Sequence, residues 1–169
     1  MLSPDTIHKK SELGDEWMDA DETGPILWEH EVVAATVRYL RDHGWHIESY
    51  IVGRKHGPDI VATCASQRLI VEAKGEGSSQ EGTPRYGLPF DGGQVRMHVA
   101  RAVYTAMSVI ERKNVEGAIA LPSTALHREY VKAIQSSLDL LKIPVFWVDR
   151  DRRVIADRGA KRFVKKFQG

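Results

Sequence analysis

The chain has 169 residues, enough for one domain, and its 42% hydrophobic and 28% charged residues exclude a disordered or fibrous chain. A formal net charge of +1 excludes a global positive field, so charge alone does not announce a nucleic-acid partner. The single cysteine, Cys64, excludes a disulfide framework and a cysteine zinc cluster, which fits a reducing, cytoplasmic setting. The acidic N-terminus does not resemble a signal peptide, and no apolar run nears the ~18 residues of a membrane span, so no membrane partner is expected.

Residues 1–22 lack periodicity and read as an acidic arm, ahead of one domain over residues 23–169. Gly24-Pro25 is expected to open a helix that runs to His43, with Gly44 as its stop. A strand follows at 46–52, then a basic loop whose Arg54 and Lys55 are candidates for touching a nucleic-acid backbone. Strands at 59–64 and 68–74 are joined by a tight turn near Ser66-Gln67. A long loop rich in glycine and proline follows, of the kind that is often functional or mobile. The helix at 92–111 sets Val95, Val99, Val103, Ala106 and Ile110 on one face, with Gln94, His98, Arg101 and Thr105 as a polar stripe beside it.

Strand 116–121, helix 124–141 and strand 145–149 read as a parallel βαβ unit. A hairpin strand at 153–156 and a short basic helix close the chain. After Asp149 the bases Arg150, Arg152, Arg153, Arg158, Lys161, Arg162, Lys165 and Lys166 face only Asp151 and Asp157, a candidate basic patch. The expected class is α/β: a mixed sheet with an antiparallel hairpin, a βαβ unit and flanking helices.

The chemistry concentrates on the hairpin. Alternation along a strand puts Glu72 and Lys74 on the face of Ile70, and Leu69, Val71 and Ala73 on the other. With a two-residue loop, antiparallel parity places Asp59 opposite Glu72 or Lys74, on their face in either register. Charges at the end of an apolar run are costly to bury unless paired or bound to metal. Two nearby carboxylates repel, and a hard cation such as Mg²⁺ relieves that repulsion. On the first helix, phase puts Glu29 on the inward face with Val32, Val33, Thr36, Val37 and Leu40, and turns Glu31 away towards Arg38 and Asp42.

Pro58-Asp59 and Glu72-Ala73-Lys74 resemble the signature of the PD-(D/E)xK nuclease superfamily, whose fold is restriction-endonuclease-like. The helix from Glu29 to Gly44-Trp45 is similar to the glutamate-bearing first helix of Holliday-junction resolvases and Mrr-like nucleases, and the βαβ unit to their ending. The resemblance implies an endonuclease that hydrolyses phosphodiester bonds with Mg²⁺, or Mn²⁺ in its place, with nucleic acid, DNA foremost, as partner, and a homodimer as in many such families. It implies Asp59, Glu72, the Ala73 carbonyl and Glu29 as metal ligands, and Lys74 as catalytic base or electrostatic stabiliser. Gln94 is similar to a glutamine that several subfamilies hold near the scissile phosphate. The alternative is a non-catalytic nucleic-acid-binding or assembly module on the same fold.

Overall fold

Strand β4, Gln67–Ala73, is the axis of the sheet. Its Leu69, Val71 and Ala73 pack into one hydrophobic cluster, and Ile70 into another on the opposite face. A strand covered on both sides reads as a continuous apolar run, as this one does. The computed structural model describes residues 7–9, 26–53, 57–78, 81–112 and 114–163.

Seven strands stand in chain order: β1 (Ile7–Lys9), β2 (His46–Ile51), β3 (Ile60–Cys64), β4, β5 (Val115–Pro122), β6 (Val145–Val148) and β7 (Val154–Ala156). Pairing is antiparallel from β1 to β4, parallel from β4 through β5 to β6, and antiparallel again at β7. The sheet is therefore mixed and open, and the expected parallel βαβ unit is present. Ile7–Lys9, from the segment read as an arm, pair as an edge strand.

Helix α1 (Glu29–Asp42) covers one face, where Val33, Val37 and Leu40 meet Leu69, Val71 and Phe146. Helices α2 (Gly92–Ile110) and α3 (Ala125–Ala133) cover the other, where Val95, Val99, Ala102 and Ala106 meet Ile119 and Leu121. The helix expected over 124–141 is broken at Ile134, whose φ of −120° leaves helical space before α4 (Gln135–Leu141). The last described turn is a 3-10 helix, Ala160–Phe163, and the remainder of the expected basic helix lies outside the described residues.

Helix α1 begins at Glu29, later than the Gly24-Pro25 signal. Trp28 is its N-cap, and its amide donates to Glu31 Oε2 at 2.7 Å. Helix phase turned Glu31 outward, but the structure buries it, 2% exposed, in an ion pair with Arg152 at 2.6 Å. The cation comes from the β6–β7 turn, a neighbour that the periodicity of one helix cannot reveal. A second carboxylate repeats the device. Glu76 accepts from the Leu27 amide with Oε2 at 3.1 Å, and its Oε1 pairs with Arg150. With Arg153 on Asp151, three of the bases in the expected patch are matched by carboxylates.

Removing one partner of a buried ion pair strands the other charge. Arg152→Ala is expected to lower the unfolding free energy by about 3–5 kcal/mol in urea titration. Glu31→Gln should cost less, because Arg152 keeps some contact with solvent at 20% side-chain exposure. Equal losses for the two variants would contradict this account of the pair.

Candidate active site

The β3–β4 hairpin turns on Ala65 and Ser66, with Ala65 at φ +53°. The turn lies one residue earlier than expected. Cys64 faces Gln67 and Ile60 faces Val71, so continuing the register sets Asp59 opposite Glu72, one of the two placements that parity allows. The Asp59 carbonyl accepts from Ile51 of β2 at 2.8 Å, and its Oδ2 accepts from the Ala73 amide at 2.7 Å. Asp59 is thereby tied to the strand on either side of it.

Beyond β4 the Lys74 amide donates to the Ala120 carbonyl at 3.0 Å, which carries the parallel pairing past the strand end. Gly75 follows against the start of α1. A Cβ there would lie 2.5 Å from the Glu29 amide nitrogen, so only glycine lets the two segments approach. That approach brings Glu29, from a different layer, to the end of β4.

The side chains converge on one atom. Lys74 Nζ donates to Glu72 Oε1 at 2.5 Å and to the Ala73 carbonyl at 2.8 Å. It stands 3.9 Å from both Asp59 Oδ2 and Glu29 Oε2. Lys74 is 12% exposed, Asp59 and Glu72 are 15%, and Glu29 is 42%, so three of the groups are recessed and Glu29 stands at the mouth. All four residues singled out from the sequence meet here.

Burial pushes the Asp59 carboxyl up to about 7; Lys74 opposes the shift, and Glu72 and Glu29 add to it. Burial also raises Glu29, against the pull of Lys74. For Lys74 burial disfavours the ammonium, but Asp59, Glu29 and Glu72 outweigh it, and its pKa is raised. The lysine is thus a cation held by acids, which suits an electrostatic role better than that of a base.

The donor set matches a hard divalent cation: three carboxylates and one carbonyl, all oxygen. Among the described residues no three His, Cys, Asp or Glu side chains form a ready metal cluster; the Lys74 ammonium lies among these oxygens. It is a stand-in charge at the point where the oxygens converge. Asp59, Glu72, Ala73 and Glu29 are the residues that would hold Mg²⁺ or Mn²⁺.

Other expected contacts fall elsewhere. Arg54 and Lys55 lie outside the described residues. Gln94 closes the N-terminal cap of α2: its amide nitrogen donates to Asp91 Oδ1 at 2.9 Å, and its Oε1 accepts from the Asp91 amide and from Arg85. The structure thus engages Gln94 in a cap rather than in the cluster. The rest of its stripe does reach the site. His98, Arg101, Tyr104 and Thr105 form one wall of a cleft of about 560 Å³ shared with Glu29, Glu72 and Lys74. Spacing places His98, Arg101 and Thr105 in a polar stripe; Tyr104 carried no signal, because nothing in the sequence told which layer α2 would face.

The His98 ring stacks on Phe90 at 4.3 Å, and burial, Lys74 and Arg101 all lower its pKa. Behind it His127 is pushed down to about 4 by burial and by His98, while the Thr124 hydroxyl lies 2.7 Å from its Nδ1. Both imidazoles are neutral near neutral pH.

The Asp59 carboxyl, about 7 in the folded chain against an ordinary 3.8, means that the folded state binds more protons than the unfolded state between those values. Stability contributed by that proton is full below about pH 4 and is lost as pH rises through about 7. Without divalent cations, Asp59→Asn should remove much of this decline and raise Tm above neutral pH, while keeping an acceptor for the Ala73 amide. Circular-dichroism melts between these limits read it; a variant that melts below the wild type at alkaline pH would contradict it.

No helix among the described residues is long and apolar enough to cross a membrane. Compared with protein-family models, curated proteins and solved structures, the chain matches none.

Proposed function

We propose that the chain is a metal-dependent nuclease of the PD-(D/E)xK type, built on a restriction-endonuclease-like frame, that hydrolyses phosphodiester bonds in DNA. The observation that carries this reading is the convergence of Glu29, Asp59, Glu72 and the Ala73 carbonyl on Lys74 Nζ. The sheet supports it as well: an antiparallel hairpin bearing the acids, a parallel βαβ unit beside it, and a glutamate-bearing helix across one face.

Hydrolysis adds the oxygen of water to phosphorus and breaks one phosphorus–oxygen ester bond, and the departing oxygen takes up a proton. A bound Mg²⁺ or Mn²⁺ supplies Lewis-acid neutralisation of the charge that builds on the phosphate and favours ionised water. Asp59 and Glu72 would hold such a cation at a fixed point, since their strands are paired and their carboxylates recessed. Lys74 keeps its proton among the acids and faces the reacting group as a cation, where a preorganised positive charge stabilises a more negative transition state. Glu29, the most exposed of the group, would accept a hydrogen bond from water at the mouth or add a ligand to a bound cation.

Alanine at Asp59, Glu72 or Lys74 is expected to lower cleavage of labelled DNA by about 10²–10⁴-fold in Mg²⁺, with the circular-dichroism spectrum unchanged. Glu29→Gln should lower it less, as the most exposed member. EDTA should abolish wild-type cleavage. Activity that survives in the folded Asp59 and Glu72 variants sinks the mechanism, and a wild-type chain that binds DNA without cutting it is a binding module instead.

A further inference from the structure

We propose that the cleft between the acidic cluster and α2 takes a single nucleic-acid strand, with a base stacked on Tyr104 and a backbone phosphate held by Arg101. The inference rests on the phosphodiesterase reading, which places a phosphate at the cleft floor, and deepens it by naming the form of the substrate.

Three observations carry it. Tyr104 is 74% exposed on the wall of the cleft and has no ring partner among the described residues. A ring that stands so far out contributes little to the core, and base–aromatic stacking is the interaction it offers a strand in the cleft. Arg101, one helical turn earlier on the same wall, has no carboxylate partner among the described residues; Arg96, Arg112 and Arg158 share that property, but of these only Arg101 lines this cleft. An unmatched guanidinium beside the cluster is a phosphate ligand in search of its anion.

The third observation is shape. Glu72 and Lys74 are recessed, at 15% and 12% exposure, in a cleft of about 560 Å³. In a duplex the bases are stacked on one another and are not offered to a ring on the cleft wall. A single strand folds into it, and its unpaired bases are free to stack. Trp28, next to Glu29 in the chain, carries Tyr86 stacked at 6.0 Å with half of that ring's residue exposed, a second platform for a neighbouring base. The three carboxylates repel a phosphate until a cation neutralises them, so strand binding and cation binding are coupled.

The test is fluorescence anisotropy of the full chain with a labelled DNA strand of about 12 nucleotides, the RNA strand of the same sequence, and the DNA duplex. Ca²⁺ is the cation, because it takes the same oxygen ligands, and EDTA is the control. The expected result is binding of a single strand about tenfold tighter than the duplex in Ca²⁺, and loss of that preference in EDTA. The tighter of the DNA and RNA strands identifies the substrate. Tyr104→Ala should weaken strand binding about tenfold while Tyr104→Phe retains it. Arg101→Gln should reduce the slope of log K against log salt by about 0.7, the share of one phosphate contact on a single strand.

Equal or tighter binding of the duplex overturns the proposal, as does a Tyr104→Ala variant that binds like the wild type. Cleavage in Mg²⁺ is read separately. A chain that binds strands as described but never cuts loses only the nuclease reading. A chain that cuts duplex DNA regardless of Tyr104 and Arg101 keeps that reading and loses the strand cleft.

Discussion

Two buried carboxylates hold the structure in the arrangement that makes a site possible. Glu31 and Glu76 each give one oxygen to a backbone amide at the entrance of α1, Trp28 and Leu27 respectively, and the other to an arginine of the β6–β7 turn. Each group satisfies what the other leaves exposed: orphan amides ahead of a helix, carboxylates with little access to water, and guanidinium groups on a tight turn. The consequence is positional. The start of α1 is tied at once to the chain after β4 and to the far hairpin, and Glu29 leaves the helix at the one place where it can meet Lys74.

The cluster itself is an electrostatic conflict kept in balance by a lysine. Asp59 and Glu72 share a recess with one ammonium and Glu29 stands at its mouth; burial, with the two neighbouring carboxylates, holds the Asp59 carboxyl up at about 7 against the pull of Lys74. Such an arrangement weakens the folded chain above neutral pH, and a fold under no other demand has better uses for the end of a central strand. The tension is relieved by added positive charge, which is the property a metal-dependent phosphodiesterase exploits. The proposed strand cleft follows the same logic, since carboxylates repel a phosphate until their charge is neutralised.

Much of the site was legible because two of its determinants are local. Strand alternation and hairpin parity fix which residues share a face, whatever the rest of the fold does, and either permitted register put Asp59 with Glu72 and Lys74. Helix phase is less secure. It selected Glu29, which does reach Lys74, but it turned Glu31 outward, and the structure buries that residue against Arg152. Phase describes one helix in isolation, while burial depends on what packs over its end. Within the basic tail, the run of bases does not reveal that Arg150 and Arg152 meet carboxylates distant in sequence, Glu76 and Glu31.

The sequence by itself determined the class of the fold, the strands and helices in nearly their observed places, and the facing of Asp59, Glu72 and Lys74, because these follow from periodicities of two and 3.6 residues that act within a segment. Tertiary structure alone decided two things: that Glu31 and Glu76 clamp the entrance of α1, and that His98, Arg101 and Tyr104 form the wall of the cleft. Each depends on contact between segments far apart in the chain. No local period encodes which charge will meet which, because that is settled by the packing of layers around a shared core.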